Sequence, residues 1–176
     1  MRLALLLAVL AGACSTKKSP EEGAKAPAAT QFAASGTVQN LRFEGTMLFF
    51  CDARGAHGVD LTTGRATSNA PPCQASEEPN TACSGLTLDV SVRAPLSEPN
   101  DIVDLGASSF PLHGRVHDCR AAGNRLAIAT GSSVVLIDAA KSTLKEIASQ
   151  GSDRVAVADG WIAWTDNSSV RLAPIP

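Results

Sequence analysis

The chain has 176 residues, 44% of them hydrophobic, and a formal net charge of −2. That composition belongs to one modest globular domain and excludes a disordered or highly charged polypeptide. So even a charge balance leaves no electrostatic footprint for a nucleic acid, another polyanion or a membrane surface, and no nucleic-acid partner is expected.

Met1 and Arg2 give a short positive start, Leu3 to Leu10 form an unbroken apolar run, and the small residues Ala11, Gly12 and Ala13 precede Cys14. The pattern predicts a signal peptide over residues 1–13, too short to span a bilayer as a helix. The run LAGAC, ending at Cys14, resembles the lipobox of bacterial lipoproteins, with Ala11 where that family most often has Leu. The resemblance implies that Cys14 is diacylated on sulfur, becomes the new N-terminus and anchors the chain to a membrane. Through Ser15 it further implies the outer membrane of a Gram-negative cell envelope. Ordinary cleavage after the A-x-A triplet would cut the same bond and release a secreted protein. Cysteine arithmetic favours lipidation. The cysteines are Cys14, Cys51, Cys73, Cys83 and Cys119; acylating the first leaves four that can pair, whereas free secretion leaves an odd thiol in an oxidising compartment. Two or three acyl chains, at about 0.8 kcal/mol per buried methylene, hold such an anchor firmly.

Residues 15–30, STKKSPEEGAKAPAAT, are small and polar with two prolines and no apolar period. With Cys14 they are expected to form a flexible tether over 14–30, about 50 Å long when extended. Its lysines sit among Glu21 and Glu22 and read as solvated. The globular domain is expected to occupy 31–176.

From residue 31 onward the apolar runs are short and bounded by turn residues, which predicts many brief strands. Shifting the chain by 36 positions lays Ser132-Ser133-Val134 on Ser168-Ser169-Val170, Ala122 on Ala158, Leu126 on Ile162, Ala127 on Ala163 and Leu136 on Leu172. Shifting it back by 78 lays Val116 on Val38, Arg120 on Arg42, Gly123 on Gly45, Leu126 on Leu48 and Asp138 on Asp60. A further unit is expected between, with strands in SGLTLDVSV (84–92) and DIVDL (101–105). The hairpin GNRLAIATGSSVVLID, 123–138, is thus read as part of the third of four related units. The segment 138–150 has fair helical propensity, yet its counterpart at 60–66 is turn-like, so turn plus strand is expected.

A period near 40 built of short strands is the signature of a β-propeller. NRLAIATGSSVVLIDAAKSTLKEI and LFFCDARGAHGVDLTTGRAT resemble quinoprotein-like blades, the latter with Asp60 and Gly64 in the D-x-x-x-G ending. WIAWTDNSSVRL is similar to the YWTD repeat, with Ala163 in place of Tyr. These resemblances imply a scaffold and no activity. The expected fold is all-β, with short antiparallel repeat units forming a small or partial β-propeller, closed or open, or alternatively a β-sandwich. The abrupt ending at RLAPIP also fits a piece of a longer repeat array.

For the four remaining cysteines the first expectation is a Cys73–Cys83 bridge across a polar loop, leaving Cys51 with Cys119; three connectivities are possible. His113, His117 and Cys119 crowd in HGRVHDC, with His57 apart, but their spacing matches no zinc signature, so no metal site is expected. No nucleophile elbow, carboxylate pair, phosphate loop or haem motif is present, and no catalytic or cofactor-binding residue is expected. Ser132, Ser133, Ser168 and Ser169 recur at equivalent turns, which turn geometry explains. Trp161 and Trp164, three apart in a strand, are expected to face opposite sides, one in the core and the other at a rim or binding surface.

Together these features predict a lipid-anchored envelope protein whose β-repeat domain is a binding or scaffolding module for a protein or carbohydrate, not an enzyme. The competing expectations are an envelope enzyme or metal protein using His57, His113 and His117, and a non-autonomous part of a larger propeller.

Overall fold

The computed structural model describes residues 30–74, 77–166 and 168–175. The expected signal peptide over 1–13, the lipidation site Cys14 and the tether up to residue 29 lie outside the described residues. Strand structure begins at Thr30, one residue before the expected domain boundary.

The described elements are strands. In chain order they are β1 (Thr30–Ala33), β2 (Gln39–Glu44), β3 (Met47–Asp52), β4 (Gly55–Asp60), β5 (Arg65–Thr67), β6 (Val90–Arg93), β7 (Ile102–Leu105), β8 (Ser108–Pro111), β9 (Val116–Ala122), β10 (Arg125–Thr130), β11 (Val134–Asp138), β12 (Thr143–Ala148), β13 (Val155–Ala158), β14 (Trp161–Asp166) and β15 (Ser169–Pro174). They form four antiparallel sheets: β2-β3-β4-β5, β6-β7-β8, β12-β11-β10-β9 and β1-β15-β14-β13, named here first to fourth. The fourth sheet joins both ends of the described chain, with Thr30 opposite Leu172 and Ala33 opposite Ser169. No helix among the described residues is long and apolar enough to cross a membrane.

The repeat read from the sequence reappears strand for strand. Adding 36 to the bounds of β10 gives those of β14, and subtracting 78 gives those of β3. The connections repeat as well. Gly45 and Gly123 sit in two-residue hairpin loops at φ of +57° and +55°, where a side chain would be strained. Asp60 and Asp138 end the third strands of their units, and each turns the chain by accepting two backbone N–H groups on Oδ1. Thr130 and Ser133 close the serine turn through a backbone bond of 2.8 Å, with the Thr130 hydroxyl accepting the Ser133 N–H at 2.9 Å. The segment 138–150 is turn plus strand β12, as its unit position requires.

The second unit departs from expectation. Residues 84–89 of the predicted strand 84–92 are not in a ladder, because Cys83 and Gly85 both take positive φ and the chain turns there. Leu86 and Leu88 still pack against the neighbouring core.

Period-2 alternation explains how the sheets stack. On β10, Leu126 and Ile128 join Val103, Leu105 and Phe110 of the second sheet in one apolar cluster. Ala127 and Ala129 point the other way, into a cluster with Ile162 and Trp164 of the fourth. The fourth sheet turns Ala163 and Leu172 toward Leu48, Phe50 and Val59 of the first. Three apolar interfaces therefore link the sheets in the order second, third, fourth, first. The outer face of the second sheet carries Arg93, Asp104 and Ser109, joined to one another at the surface, and among the described residues no apolar cluster joins it to the first.

The segment between β5 and β6 is a strap held by two disulfides. Cys73 is bonded to Cys51 on β3, and Cys83 to Cys119 on β9. The expected Cys73–Cys83 bridge is thus replaced by two bridges that tie a strap to different sheets. The reason is that Cys83 and Cys119 meet inside the apolar cluster between second and third sheets, at 1% and 0% exposure, while Cys73 lies exposed beside the first.

Candidate functional site

A cavity of about 650 Å³ opens where four connections meet: β1 to β2, β10 to β11, β12 to β13 and β14 to β15. Its shape depends on one close approach. A Cβ on Gly151 would lie 2.1 Å from the Gly131 carbonyl oxygen, so only glycine fits. The Ser152 N–H then donates to the Thr130 carbonyl at 2.9 Å, locking a turn of the fourth sheet to one of the third. Behind them the buried hydroxyls of Ser152 and Thr165 share a hydrogen bond of 3.0 Å.

The ionisable residues among those described at the opening are His117, Asp153 and Asp166. His117 Nδ1 lies 3.2 Å from Asp153 Oδ1, and the Asp166 carboxylate is held by Arg171 at 2.8 Å. His117 and Asp153 are 36 positions apart, so the pair joins equivalent positions of consecutive units. Among the described residues no lysine or arginine lines the cavity. It can hold a neutral or cationic polar ligand by hydrogen bonds, and among the described residues no hydroxyl is hydrogen-bonded to a histidine ring.

Beside the cavity lies a polar node that the sequence reading missed. Asp118, 1% exposed, accepts the Asn80 N–H at 2.9 Å and the Val155 N–H at 3.1 Å, with Arg120 at 3.4 Å. Burial pushes its carboxyl above the ordinary value despite these partners. Asn40 donates to the Gln74 carbonyl at 2.8 Å and accepts the Glu77 N–H at 3.0 Å, and Arg154 donates to the Glu77 carbonyl at 2.7 Å. Shifts of 78 and 36 lay Asn40 and Arg154 on Asp118. That coincidence was available in the sequence, but attention to identities passes over positions where Asn, Asp and Arg differ.

The structure scatters the three histidines. His57 on β4 stacks on Phe50 at 4.8 Å and bonds Asp52 Oδ1 through Nε2 at 2.7 Å. His113 uses its carbonyl to accept the Thr130 and Ser132 hydroxyls. His117 faces the cavity, and Cys119 is sealed in a disulfide. Among the described residues no three His, Cys, Asp or Glu side chains converge as a metal would need. The two tryptophans do face opposite sides, but neither is a free rim: Trp164 is 6% exposed, and Trp161 packs half-buried on the first-sheet cluster.

No protein-family profile matches the chain, and no curated protein matches it. Among solved structures, it is similar to the computationally designed Ika8 protein at 10% identity and a TM-score of 0.33, covering 78% of this chain and 46% of that one. It is also similar to the N-terminal domain of Nup159 at 11% identity and a TM-score of 0.29, covering 82% of this chain and 46% of that one. The chain thus spans about half the length of either.

Proposed function

We propose that the chain is a lipid-anchored cell-envelope protein whose four sheets act as blades of a small propeller, displaying a binding cavity on a tether. The cavity of about 650 Å³, built by connections from three sheets, is the observation that carries the binding reading. Pairing of β1 with β15 supports the ring-like arrangement, since it draws both ends of the repeat array into one sheet. The two disulfides suit an oxidising compartment. The module's role is display of a protein or carbohydrate ligand, with no chemistry assigned to it.

Two measurements on the full chain, produced in a Gram-negative host, test this. Radiolabelled palmitate should enter the wild type and not Cys14→Ser; equal labelling of both overturns the anchor. Detergent-extracted protein should retain members of a glycan or envelope-protein array that His117→Ala and Asp153→Asn lose. Retention unchanged in both variants overturns the cavity as the binding site.

A further inference from the structure

We propose that Cys51–Cys73 is a thiol-exchange site for a dithiol oxidoreductase, whereas Cys83–Cys119 is a permanent staple. The two bridges differ in access and in what else holds their surroundings. Cys83 and Cys119 are 1% and 0% exposed within an apolar cluster. Cys73 is exposed, in an irregular stretch after β5, although its partner Cys51 is buried at 6%. An attacking thiolate reaches the exposed sulfur and is shut out of the buried pair, and exchange depends on that access.

The position of the bridge gives exchange a structural consequence. Cys51 lies on the face of β3 opposite Leu48 and Phe50, so it points away from the apolar interface with the fourth sheet. Among the described residues, the strap from Gln74 to Asn80 is held by polar contacts: the Asn40 side chain on Gln74 and Glu77, Arg154 on the Glu77 carbonyl, Arg120 beside the Glu77 carboxylate, and Asp118 on the Asn80 N–H. Each such bond contributes modestly on balance against water. Breaking Cys51–Cys73 therefore frees this end of the strap, while three apolar interfaces and the second bridge keep the four sheets together. The device is local opening at the weakest joint.

The step balances. One thiolate of the dithiol attacks Cys73 Sγ, forming a mixed disulfide and releasing the Cys51 thiolate. The second thiol attacks the first sulfur of its own protein, closing its disulfide and releasing the Cys73 thiolate. The oxidoreductase loses two electrons, the Cys51–Cys73 bond gains them, and the two thiol protons end on Cys51 and Cys73. The proposal is independent of the lipid anchor and of the ligand cavity.

The test uses the full chain with graded dithiothreitol and a thioredoxin-like protein whose resolving cysteine is replaced by Ser. After alkylation and peptide mass analysis, Cys51 and Cys73 should label roughly ten-fold faster than Cys83 and Cys119, and the trapped adduct should sit on Cys73. Labelling of all four together, or an adduct only on Cys51, overturns the proposal. In the Cys51→Ser/Cys73→Ser double variant, hydrogen exchange should rise at the amides of Glu77 and Asn80 and stay unchanged at Leu126, Ile128 and Ile137. A double variant that fails to fold, or unchanged exchange at Glu77 and Asn80, overturns it equally.

Discussion

Asp118 accepts the N–H of Val155 at 3.1 Å, so a buried carboxylate of the third sheet holds the first amide of β13 in the fourth. Its other oxygen takes the Asn80 N–H from the strap. Asp118→Ala leaves both amides without their acceptor and should cost on the order of 1–3 kcal/mol per unsatisfied group, read from the urea midpoint. Burial leads the balance and raises this carboxyl above its unfolded value. The folded state therefore keeps the proton longer, and the stabilising contribution is greatest below the unfolded value and declines as pH rises through the folded one. The gap between wild type and Asp118→Ala should narrow from pH 4 to pH 7; a widening gap contradicts the assignment.

Asp52 has the opposite sign. Burial alone would raise it, but hydrogen bonds from His57, the Ser35 N–H and Arg54 overcome burial and hold it well below the usual carboxylate range. Its contribution is present above the unfolded value and is lost as pH falls toward the folded one. Wild type and Asp52→Ala should differ by about 1–3 kcal/mol at pH 7 and converge in acid, as followed by denaturation across pH. Equal slopes for the two proteins would show that the carboxylate is not linked to folding.

The tryptophans separate core from margin. Trp164 fills the interface between third and fourth sheets, and Trp164→Ala should cost about 3–5 kcal/mol. Trp161→Ala, on a half-buried ring, should cost less. Thermal unfolding of the two variants checks the ranking, and the reverse order would place the main contact on the first-sheet side.

Gly151→Ala tests how the cavity is built. The added methyl meets the Gly131 carbonyl, so the turns must part, at about 1–3 kcal/mol for an overpacked site. Amide exchange at Ser152, which donates to Thr130, should rise. A variant with unchanged stability and exchange would mean that the close approach is not required.

Much of the architecture was legible because it rests on local rules. Alternation at Leu126 to Ala129, the hairpin glycines Gly45 and Gly123, and the aspartates Asp60 and Asp138 each act over a few residues, and repetition at 36 and 78 let one unit vouch for another. What stayed hidden was long-range. The partners of Cys73 and Cys83 depend on which sheets the strap crosses, and loop length alone pointed to the wrong bridge. The absent ladder at residues 84–89 followed from positive φ at Cys83, a residue type with no such preference. The cavity's His117–Asp153 contact joins unlike residues at equivalent positions, so a search for identities passes it by. The expectations for residues 1–29 concern chemistry at the N-terminus and fall outside the described residues.

The pairing of β1 with β15 has a topological corollary. Because the two strands run antiparallel with Thr30 beside Leu172, the start of one lies next to the finish of the other, as at the open end of a hairpin. A short linker from residue 175 to residue 30 would turn them into an ordinary hairpin. New termini cut at the Gly123-Asn124 loop would then leave every strand pair in place, yielding a circular permutant whose chain begins inside the third sheet.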